Sequence, residues 1–275
     1  VRMLSRRANV QPLPANKQDR SSRELIEIVP GDLEDPGGFQ RAMAGCRWVF
    51  HLAGYAKNWS PDPEIYRRLN VEAACRIFEL ASAWGAERIV WTSSVVTFGP
   101  TTRGQVGDER MPRNTGQFFT EYEASKYEAE RRALDYAASG LPLVIVNPTR
   151  VFGPGPLTEG NSVSRLVDDY DRGRVPVLLN RGVNVGNYVL ADDVARGMIQ
   201  ALENGRPGER YILGSENVTL KEFFRLVDQA SGKRHVQIPL MKIGPLVFAH
   251  FQRWRAERYG VYPQITPGWM RTFMS

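Results

Sequence analysis

The stretch RIVWTSS, residues 88–94, is an apolar run with β-branched side chains that ends in three small hydroxyl residues. Runs of this kind are typical of strands buried inside a parallel sheet. Five further segments share this character: VRML (1–4), LIEIVP (25–30), RWVFHLA (47–53), LPLVIVN (141–147) and ERYIL (209–213). All six segments are predicted to be strands.

Helical patterns separate most of these strands. Residues 63–84 carry apolar side chains near the 3.6-residue spacing of a helix, and Gly85 follows as a stop. Residues 119–139 form a second predicted helix, which ends at Gly140. Strands that alternate with helices at this spacing predict parallel βαβ units with right-handed crossovers. The predicted fold class is therefore α/β, with a doubly wound parallel sheet.

The regular alternation loosens after about residue 150. A segment rich in Gly and Pro (153–160) precedes shorter helices, which are predicted near 161–172, 191–204 and 219–231. This change predicts a smaller lobe that is interleaved with the last strands of the sheet. We assign the main domain to residues 1–150 with strands within about 183–213, and the lobe to about 151–182 and 214–275.

Composition narrows the class of protein. The 275 residues are 42% apolar and 24% charged, as in an ordinary globular protein, and the net charge of +6 suits a ligand with phosphate groups. No block of Lys and Arg with interleaved aromatic residues is present, so nucleic-acid binding is not expected. Cys46 and Cys75 lack metal-ligand spacing, which predicts no metal site and fits a reducing, cytoplasmic location.

No apolar run reaches the roughly 20 residues that a membrane-spanning helix needs. The longest candidate, residues 235–251, is interrupted by Lys242, Gly244 and two prolines. We expect this segment to pack in the core or in the lobe, and contact with a membrane surface is the alternative.

The helix predicted at 119–139 contains EYEASKYEAE (121–130), in which Tyr122 and Lys126 are four residues apart. Such positions lie on the same side of a helix, one turn apart. An ammonium beside a phenol lowers the phenol pKa from about 10 toward neutrality, so Tyr122 could exchange a proton. The alternative is a charged, solvated helix face, and this is the interpretation of the neighbouring glutamates Glu121, Glu123, Glu128 and Glu130.

Small or polar residues follow the predicted strands, at the sheet edge where doubly wound folds bind ligands. The segments GDLEDP, HLAG, TSSVVTFG, YEASK and NPTRVFGPG occur in this order. In these motifs the chain resembles the extended short-chain dehydrogenase/reductases, the epimerase/dehydratase branch of the Rossmann enzymes, over about residues 1–232. Within that branch it is most similar to dihydroflavonol 4-reductase-like proteins and to sugar epimerases associated with hopanoid genes.

The resemblance implies a role for each matching residue. Tyr122 would be the catalytic acid/base, Lys126 its partner that also binds the nicotinamide ribose, and Ser94 the hydrogen-bond donor to the reacting oxygen. The remaining cofactor contacts would come from Asp32, Leu33, Ala53, Gly54, Tyr55, Asn70, Thr92, Pro148 and Val151. The implied partner is a small carbonyl or alcohol substrate, and a homodimer is compatible with the family.

The chain also departs from the family pattern. The family opens with a strand and a G-x-x-G-x-x-G turn that binds the cofactor pyrophosphate, and Val1 corresponds to the start of the second strand. We therefore expect the first strand to be missing and the cofactor site to be incomplete. The second strand ends in Ser5-Arg6-Arg7 rather than an acidic residue, so Arg6 favours NADP(H) over NAD(H).

Three functions remain open at this point. The favoured one is an NADP(H)-dependent reductase or dehydrogenase that acts on a ketone, an aldehyde or a secondary alcohol. The second is an NAD-dependent nucleotide-sugar epimerase or dehydratase. Gly186 counts against it, because the sugar-nucleotide enzymes typically carry an arginine at that place. The third is a non-catalytic nucleotide-binding scaffold, which the intact Ser94, Tyr122 and Lys126 set disfavours.

Overall fold

A computed structural model describes residues 1–6, 26–101, 104–155, 157, 160–241 and 243–274. Its strands are β1 (Arg2–Ser5), β2 (Glu27–Pro30), β3 (Trp48–His51), β4 (Arg88–Thr92), β5 (Leu143–Pro148), β6 (Arg150–Phe152), β7 (Val177–Leu179), β8 (Val185–Leu190), β9 (Arg210–Leu213), β10 (Glu216–Thr219) and β11 (Ile238–Leu240). All six predicted strands are confirmed, with bounds that differ by a few residues.

The five predicted helical segments are confirmed, whereas three further helices among the described residues, at 36–43, 243–259 and 267–274, were not predicted. The helices are α1 (Pro36–Met43), α2 (Glu64–Tyr66), α3 (Ala73–Ala83), α4 (Glu121–Ala138), α5 (Ser162–Asp171), α6 (Ala191–Asn204), α7 (Leu220–Ser231), α8 (Ile243–Tyr259) and α9 (Pro267–Met274). A π-helical segment, Arg67–Glu72, joins α2 to α3, so the helix predicted at 63–84 contains one wider turn. The stops at Gly85 and Gly140 both have positive φ angles, 65° and 99°, which glycine adopts without steric cost.

The main sheet is parallel, with the strand order β3-β4-β5-β9. Alternate residues of its strands point to opposite faces. Ile89 and Ile145 join the cluster formed with α1, α3 and α4, whereas Val90 and Val144 join the cluster formed with α6. Helices therefore cover both faces of the sheet, which confirms the α/β class and the doubly wound arrangement.

Strands β1 and β2 form a separate two-stranded parallel sheet. Helix α1 contacts both of these strands as well as α3, and Leu4 and Val49 pack against the same hydrophobic cluster. The small sheet thus shares one core with the main sheet. Among the residues that the structure describes, no strand pairs with the free edge of β3, where Trp48 and Phe50 are 57% and 41% exposed.

Two further sheets follow β5. Strand β8 lies between β6 and β10, and β7 pairs with β11. Helices α5 and α7 pack on this region through Tyr170 and Phe224, whose rings are stacked with a centroid distance of 4.0 Å. β7, β10, β11, α5 and α7 lie in the segments assigned from sequence to the smaller lobe, whereas β8 lies within 183–213, which was assigned to the main domain.

The segment 235–251 forms β11 and the first half of α8, and its packing differs from the expectation. The small side chains Pro245 and Ala249 are buried, whereas Val247 and Phe251 are 65% and 52% exposed. Within 235–251, core packing therefore holds for Pro245 and Ala249 but not for Val247 and Phe251. None of the described helices is long and apolar enough to cross a membrane.

Candidate active site

Helix α4 carries the tyrosine and the lysine that the sequence singled out. Its start is fixed by Thr120, whose side-chain hydroxyl accepts a hydrogen bond from the backbone N–H of Glu123 at 3.1 Å. Long side chains four residues apart then project from one side of the helix. Tyr122, Lys126 and Glu130 occupy three such successive positions.

Ser94 faces this helix from the end of β4. It starts a short 3₁₀ turn, Val95–Phe98, and is itself 9% exposed. Burial raises the pKa of Tyr122, and the nearby Ser94 side chain opposes that shift. Tyr122 is therefore a neutral phenol at physiological pH, and the serine predicted to act beside it is close enough to influence its pKa.

Lys126 lies deeper, with 5% exposure. Its Nζ donates a hydrogen bond to the backbone oxygen of Thr92 at 2.9 Å and lies 5.3 Å from the centre of the Trp91 ring. Burial lowers the pKa of Lys126 to about 8, and the negative charge of Glu130 opposes this shift. The prediction of a lowered pKa for Tyr122 is therefore wrong. Burial of the phenol raises its pKa, and the Lys126 ammonium donates its hydrogen bond to Thr92 O of β4 instead.

Asn70 ties the loop after β3 to helix α4. Its Oδ1 accepts from the backbone N–H of Tyr55 at 2.7 Å, and its Nδ2 donates to Tyr55 O at 3.1 Å and to Ser125 Oγ at 2.9 Å. The residue sits in the π-helical segment Arg67–Glu72, and such wide turns occur frequently at functional sites. Asn70 is 2% exposed and fully paired, so it holds the 53–55 loop in place.

Gly54 leaves a small cradle at this point of the loop. A Cβ atom at residue 54 would lie 2.9 Å from Asn70 Oδ1 and 3.6 Å from Lys126 Nζ. The missing side chain allows a flat group to approach the backbone beside an ammonium, as the ribose and nicotinamide of a dinucleotide require. Gly54, Asn70 and Lys126, with the exposed Ala53 beside them, therefore leave a space into which the nicotinamide half of the cofactor would fit.

The residues expected on the adenine side lie at the ends of β1 and β2. Arg6 Nε is 3.6 Å from Asp32 Oδ2, with side-chain exposures of 80% and 38%. Leu33 is partly buried and packs against the hydrophobic core. Arg7, the second arginine of the motif, lies outside the described residues. Arg6 and Asp32 thus form an exposed pair beside the two-stranded sheet.

Pro148 and Val151 follow the end of β5. Pro148 is buried as the last residue of the strand, and its neighbour Asn147 donates a hydrogen bond from Nδ2 to Ser94 O at 3.1 Å. Val151 is half-buried in β6 and packs against the cluster under α6. The structure therefore places Pro148 one residue from a direct contact with the Ser94 turn.

Two glutamates of α4 are not solvated, which corrects the interpretation of the helix face. Glu123 is 2% exposed and pairs with Arg113 Nη2 at 2.6 Å, and Glu130 is 4% exposed. Sequence reasoning missed Glu130 because a run of glutamates resembles an exposed face. The spacing of four residues from Tyr122 to Lys126 to Glu130 was the signal that could have revealed it.

Gly186 occupies the position at which the sugar-nucleotide enzymes typically carry an arginine. The guanidinium of Arg150 fills the space that a side chain at residue 186 would take. Arg150 also lies over the Phe273 ring at 4.6 Å and donates to Tyr188 Oη at 3.3 Å. A cation is therefore present at this place, although it comes from another strand.

A doubly wound sheet with Ser94, Tyr122 and Lys126 at its carboxyl edge defines the extended short-chain dehydrogenase/reductase class. The profile of the NAD dependent epimerase/dehydratase family matches residues 1–214. The chain belongs to that family, whose members use NAD or NADP.

Individual relatives agree with this assignment. The chain is 36% identical over 228 residues to a Synechocystis sp. protein with the provisional name dihydroflavonol 4-reductase, a match that covers 80% of this chain and 61% of that protein. The chain thus spans about three-fifths of the length of that relative.

Among solved structures, the crystal structure of gox2253 has a TM-score of 0.76 and 31% identity, and covers 99% of this chain and 80% of that one. The UDP-glucose 4-epimerase of Thermus thermophilus, in complex with NAD, has a TM-score of 0.68 and 23% identity, with 91% and 84% coverage. The latter similarity concerns the fold alone.

Proposed function

We propose that the protein is an NADP(H)-dependent oxidoreductase that transfers hydride between the nicotinamide and a ketone, an aldehyde or a secondary alcohol. The observation that carries this proposal is the placement of the Ser94 side chain close to Tyr122, with buried Lys126 one helical turn away. This set of groups suits a reaction in which a carbonyl oxygen gains a proton while its carbon gains a hydride.

Tyr122 acts as the acid in the direction of reduction. Because burial raises its pKa, the phenol keeps its proton at neutral pH and can donate it to the developing alkoxide. A bound nicotinamide would supply the hydride to the carbonyl carbon. The C=O bond becomes C–O–H, the phenol becomes a phenolate, and solvent returns the proton to the half-buried Tyr122.

Ser94 and Lys126 stabilise the charge that develops during this transfer. The Ser94 hydroxyl donates a second hydrogen bond to the reacting oxygen, in a site where donors are already oriented. Lys126 has two N–H groups beyond the one that Thr92 O accepts, and the ammonium lies beside the cradle at Gly54. With a pKa of about 8, Lys126 is cationic at pH 7 and favours the transient phenolate.

The exposed arginine after β1 supports NADP(H) over NAD(H). Arg6 is 80% exposed and lies beside Asp32, at the strand end where the family binds the adenine ribose. A guanidinium there suits a 2′-phosphate better than a 2′-hydroxyl. Asp32 remains available for the adenine or ribose edge.

We assign substrate binding to the smaller lobe, residues 151–182 and 214–275. Support comes from its hydrophobic cluster, which contains Tyr170, Phe223 and Phe224. Arg150, which fills the space at Gly186, keeps the nucleotide-sugar epimerase or dehydratase as the second candidate, because a guanidinium can bind a diphosphate.

A panel of carbonyl compounds, assayed by oxidation of NADPH and of NADH, tests the proposal. We expect reduction of at least one ketone or aldehyde and faster turnover with NADPH. Tyr122→Phe removes the proton donor and should lower kcat/KM roughly 100- to 10,000-fold. Tyr127→Phe is the matched control, since Tyr127 lies on the same helix but packs against Phe118.

Two results would contradict the assignment. Bound NAD in the purified protein, with epimerisation of a nucleotide sugar and no net consumption of NADPH, would establish the second candidate. Unchanged turnover in Tyr122→Phe would remove Tyr122 from the mechanism. If Tyr122→Phe also left the cellular role intact, a nucleotide-binding scaffold would be the better description.

A further inference from the structure

Glu130 is the centre of a buried polar cluster behind the active site. Its Oε2 accepts hydrogen bonds from Ser93 Oγ at 2.5 Å, from Asn147 Nδ2 at 2.7 Å and from Thr97 Oγ1 at 3.0 Å. Its Oε1 accepts from Arg210 Nη1 at 3.1 Å. Burying a carboxylate is costly unless it is paired and hydrogen-bonded, and these four donors meet that requirement.

The four donors belong to three different parts of the main domain. Ser93 and Thr97 flank Ser94 in the turn after β4, Asn147 is in β5, and Arg210 is in β9. Arg210 also donates to the backbone oxygen of Glu109 at 2.6 Å. One carboxylate on α4 therefore joins two sheet strands to the turn that bears the proposed catalytic serine.

The cluster holds the backbone of Ser94 as well as its neighbours. Ser94 O accepts a hydrogen bond from Asn147 Nδ2 at 3.1 Å, and it lies 2.9 Å from Thr97 Oγ1, whose single proton is shared between Ser94 O and Glu130 Oε2. Both donors also contact Glu130, so the carboxylate fixes the side chains that fix the Ser94 carbonyl. Loss of the carboxylate would release this turn, and the Ser94 hydroxyl would move relative to Tyr122.

The same carboxylate lies one helical turn from Lys126. Among the described residues, the ionisable groups whose charges couple to the Lys126 ammonium are His51 from β3 and Glu130 from α4. Strand β4 contributes Thr92 O and the Trp91 ring, and Tyr122 lies one turn earlier on α4. Burial lowers the pKa of His51 to about 3, so this imidazole is neutral. Glu130 is the group whose negative charge favours the ammonium.

We propose that Glu130 is a positioning residue of the active site: it fixes the turn that bears Ser94 and places its negative charge beside Lys126. The expected loss of activity in Glu130 variants rests on the proposed function. The hydrogen bonds of Glu130 and its effect on the pKa of Lys126 do not. Glu130 contacts no reacting atom, and its role is exerted through Ser94 and Lys126.

Glu130→Gln keeps the shape of the side chain and removes its charge. We expect kcat to fall about tenfold or more, because a shifted Ser94 turn misaligns the proton donor, while KM changes less. The alkaline limb of the pH profile should move down by about one pH unit, because Lys126 loses its negative neighbour. Glu128→Gln is the matched control, since its exposed carboxylate pairs only weakly with Arg132 at 3.7 Å.

A lysine NMR titration of the substrate-free protein tests the charge effect without turnover. The Lys126 resonance, assigned with Lys126→Met, should titrate at lower pH in Glu130→Gln than in the wild type. Equal titration midpoints, with an unshifted pH profile, would overturn the inference. If no carbonyl substrate is found, the proposed function fails, and the titration still decides the role of Glu130.

Glu130→Asp separates the effect on the Ser94 turn from the effect of the charge on Lys126. It is also the variant to use if Glu130→Gln does not fold. It retains the charge on a side chain that is one methylene shorter. We expect the alkaline limb to stay in place while kcat falls, because the shorter carboxylate cannot reach all four donors. A kcat equal to that of the wild type would overturn the positioning role.

Discussion

Acidification should destabilise this protein through one buried histidine at the end of β3. His51 is 4% exposed, and its ring meets the edge of the Phe78 ring at a centroid distance of 6.5 Å. Burial, and to a lesser extent the positive charge of Lys126, lowers the pKa of His51 from 6.5 to about 3. The folded protein therefore holds His51 in its neutral form.

The sign and size of the effect follow from that difference. Below pH 6.5 the unfolded chain binds a proton at His51 that the folded protein does not, so the free energy of unfolding falls as the pH falls. Each pH unit changes the free energy by about 1.4 kcal/mol, which gives a loss of about 3 kcal/mol between pH 6.5 and pH 4. Typical proteins have only about 5–15 kcal/mol of stability in total.

Urea unfolding of the wild type and of His51→Leu, at pH values from 4 to 7.5, isolates this contribution. Leucine has a similar volume and no proton to bind, so the stability of the variant relative to the wild type should rise by about 3 kcal/mol toward pH 4. Parallel curves for the two proteins would refute the reasoning, since other carboxylates and histidines contribute equally to both.

Two further substitutions test the scaffold of the site. Asn70→Ala should lower the free energy of unfolding in urea by about 1–3 kcal/mol, because it leaves the Tyr55 backbone unpaired. It should also weaken NADPH binding, measured by fluorescence titration. Unchanged affinity would contradict a role of the 53–55 loop in cofactor binding. Arg113→Met should lower the free energy of unfolding, measured by calorimetry, by about 3–5 kcal/mol, because it leaves the Glu123 carboxylate buried without its cation. Arg132→Met, at the exposed pair with Glu128, should have little effect. Equal losses of stability in both variants would contradict this reasoning.

The predicted strands and helices agree with the structure because periodicity is a local property. In β4 and β5, alternate apolar residues face different helices. The continuous apolar runs RIVW (88–91) and LVIV (143–146) predict such strands, because both of their faces are buried. The helix stops at Gly85 and Gly140 follow from the left-handed backbone that each glycine adopts. The π-helical turn at Asn70 has no such local signal.

Interactions across the fold were the harder part to predict. The Tyr122–Lys126 spacing indicated a proton-transfer pair, but burial raises the phenol pKa and Thr92 O engages the ammonium. Residues of α8 that looked like core, such as Phe251, are half-exposed. Burial depends on which elements pack together, and no single segment contains that information.

The sequence by itself determined the fold class and the order of the strands along the chain, and it predicted Ser94, Tyr122 and Lys126 as the candidate catalytic set. Only the tertiary structure decided that Glu130 is buried and joins β5 and β9 to the Ser94 turn. The physical reason is that a carboxylate can be buried only where donors surround it, and these donors are distant in sequence, 80 residues away in the case of Arg210.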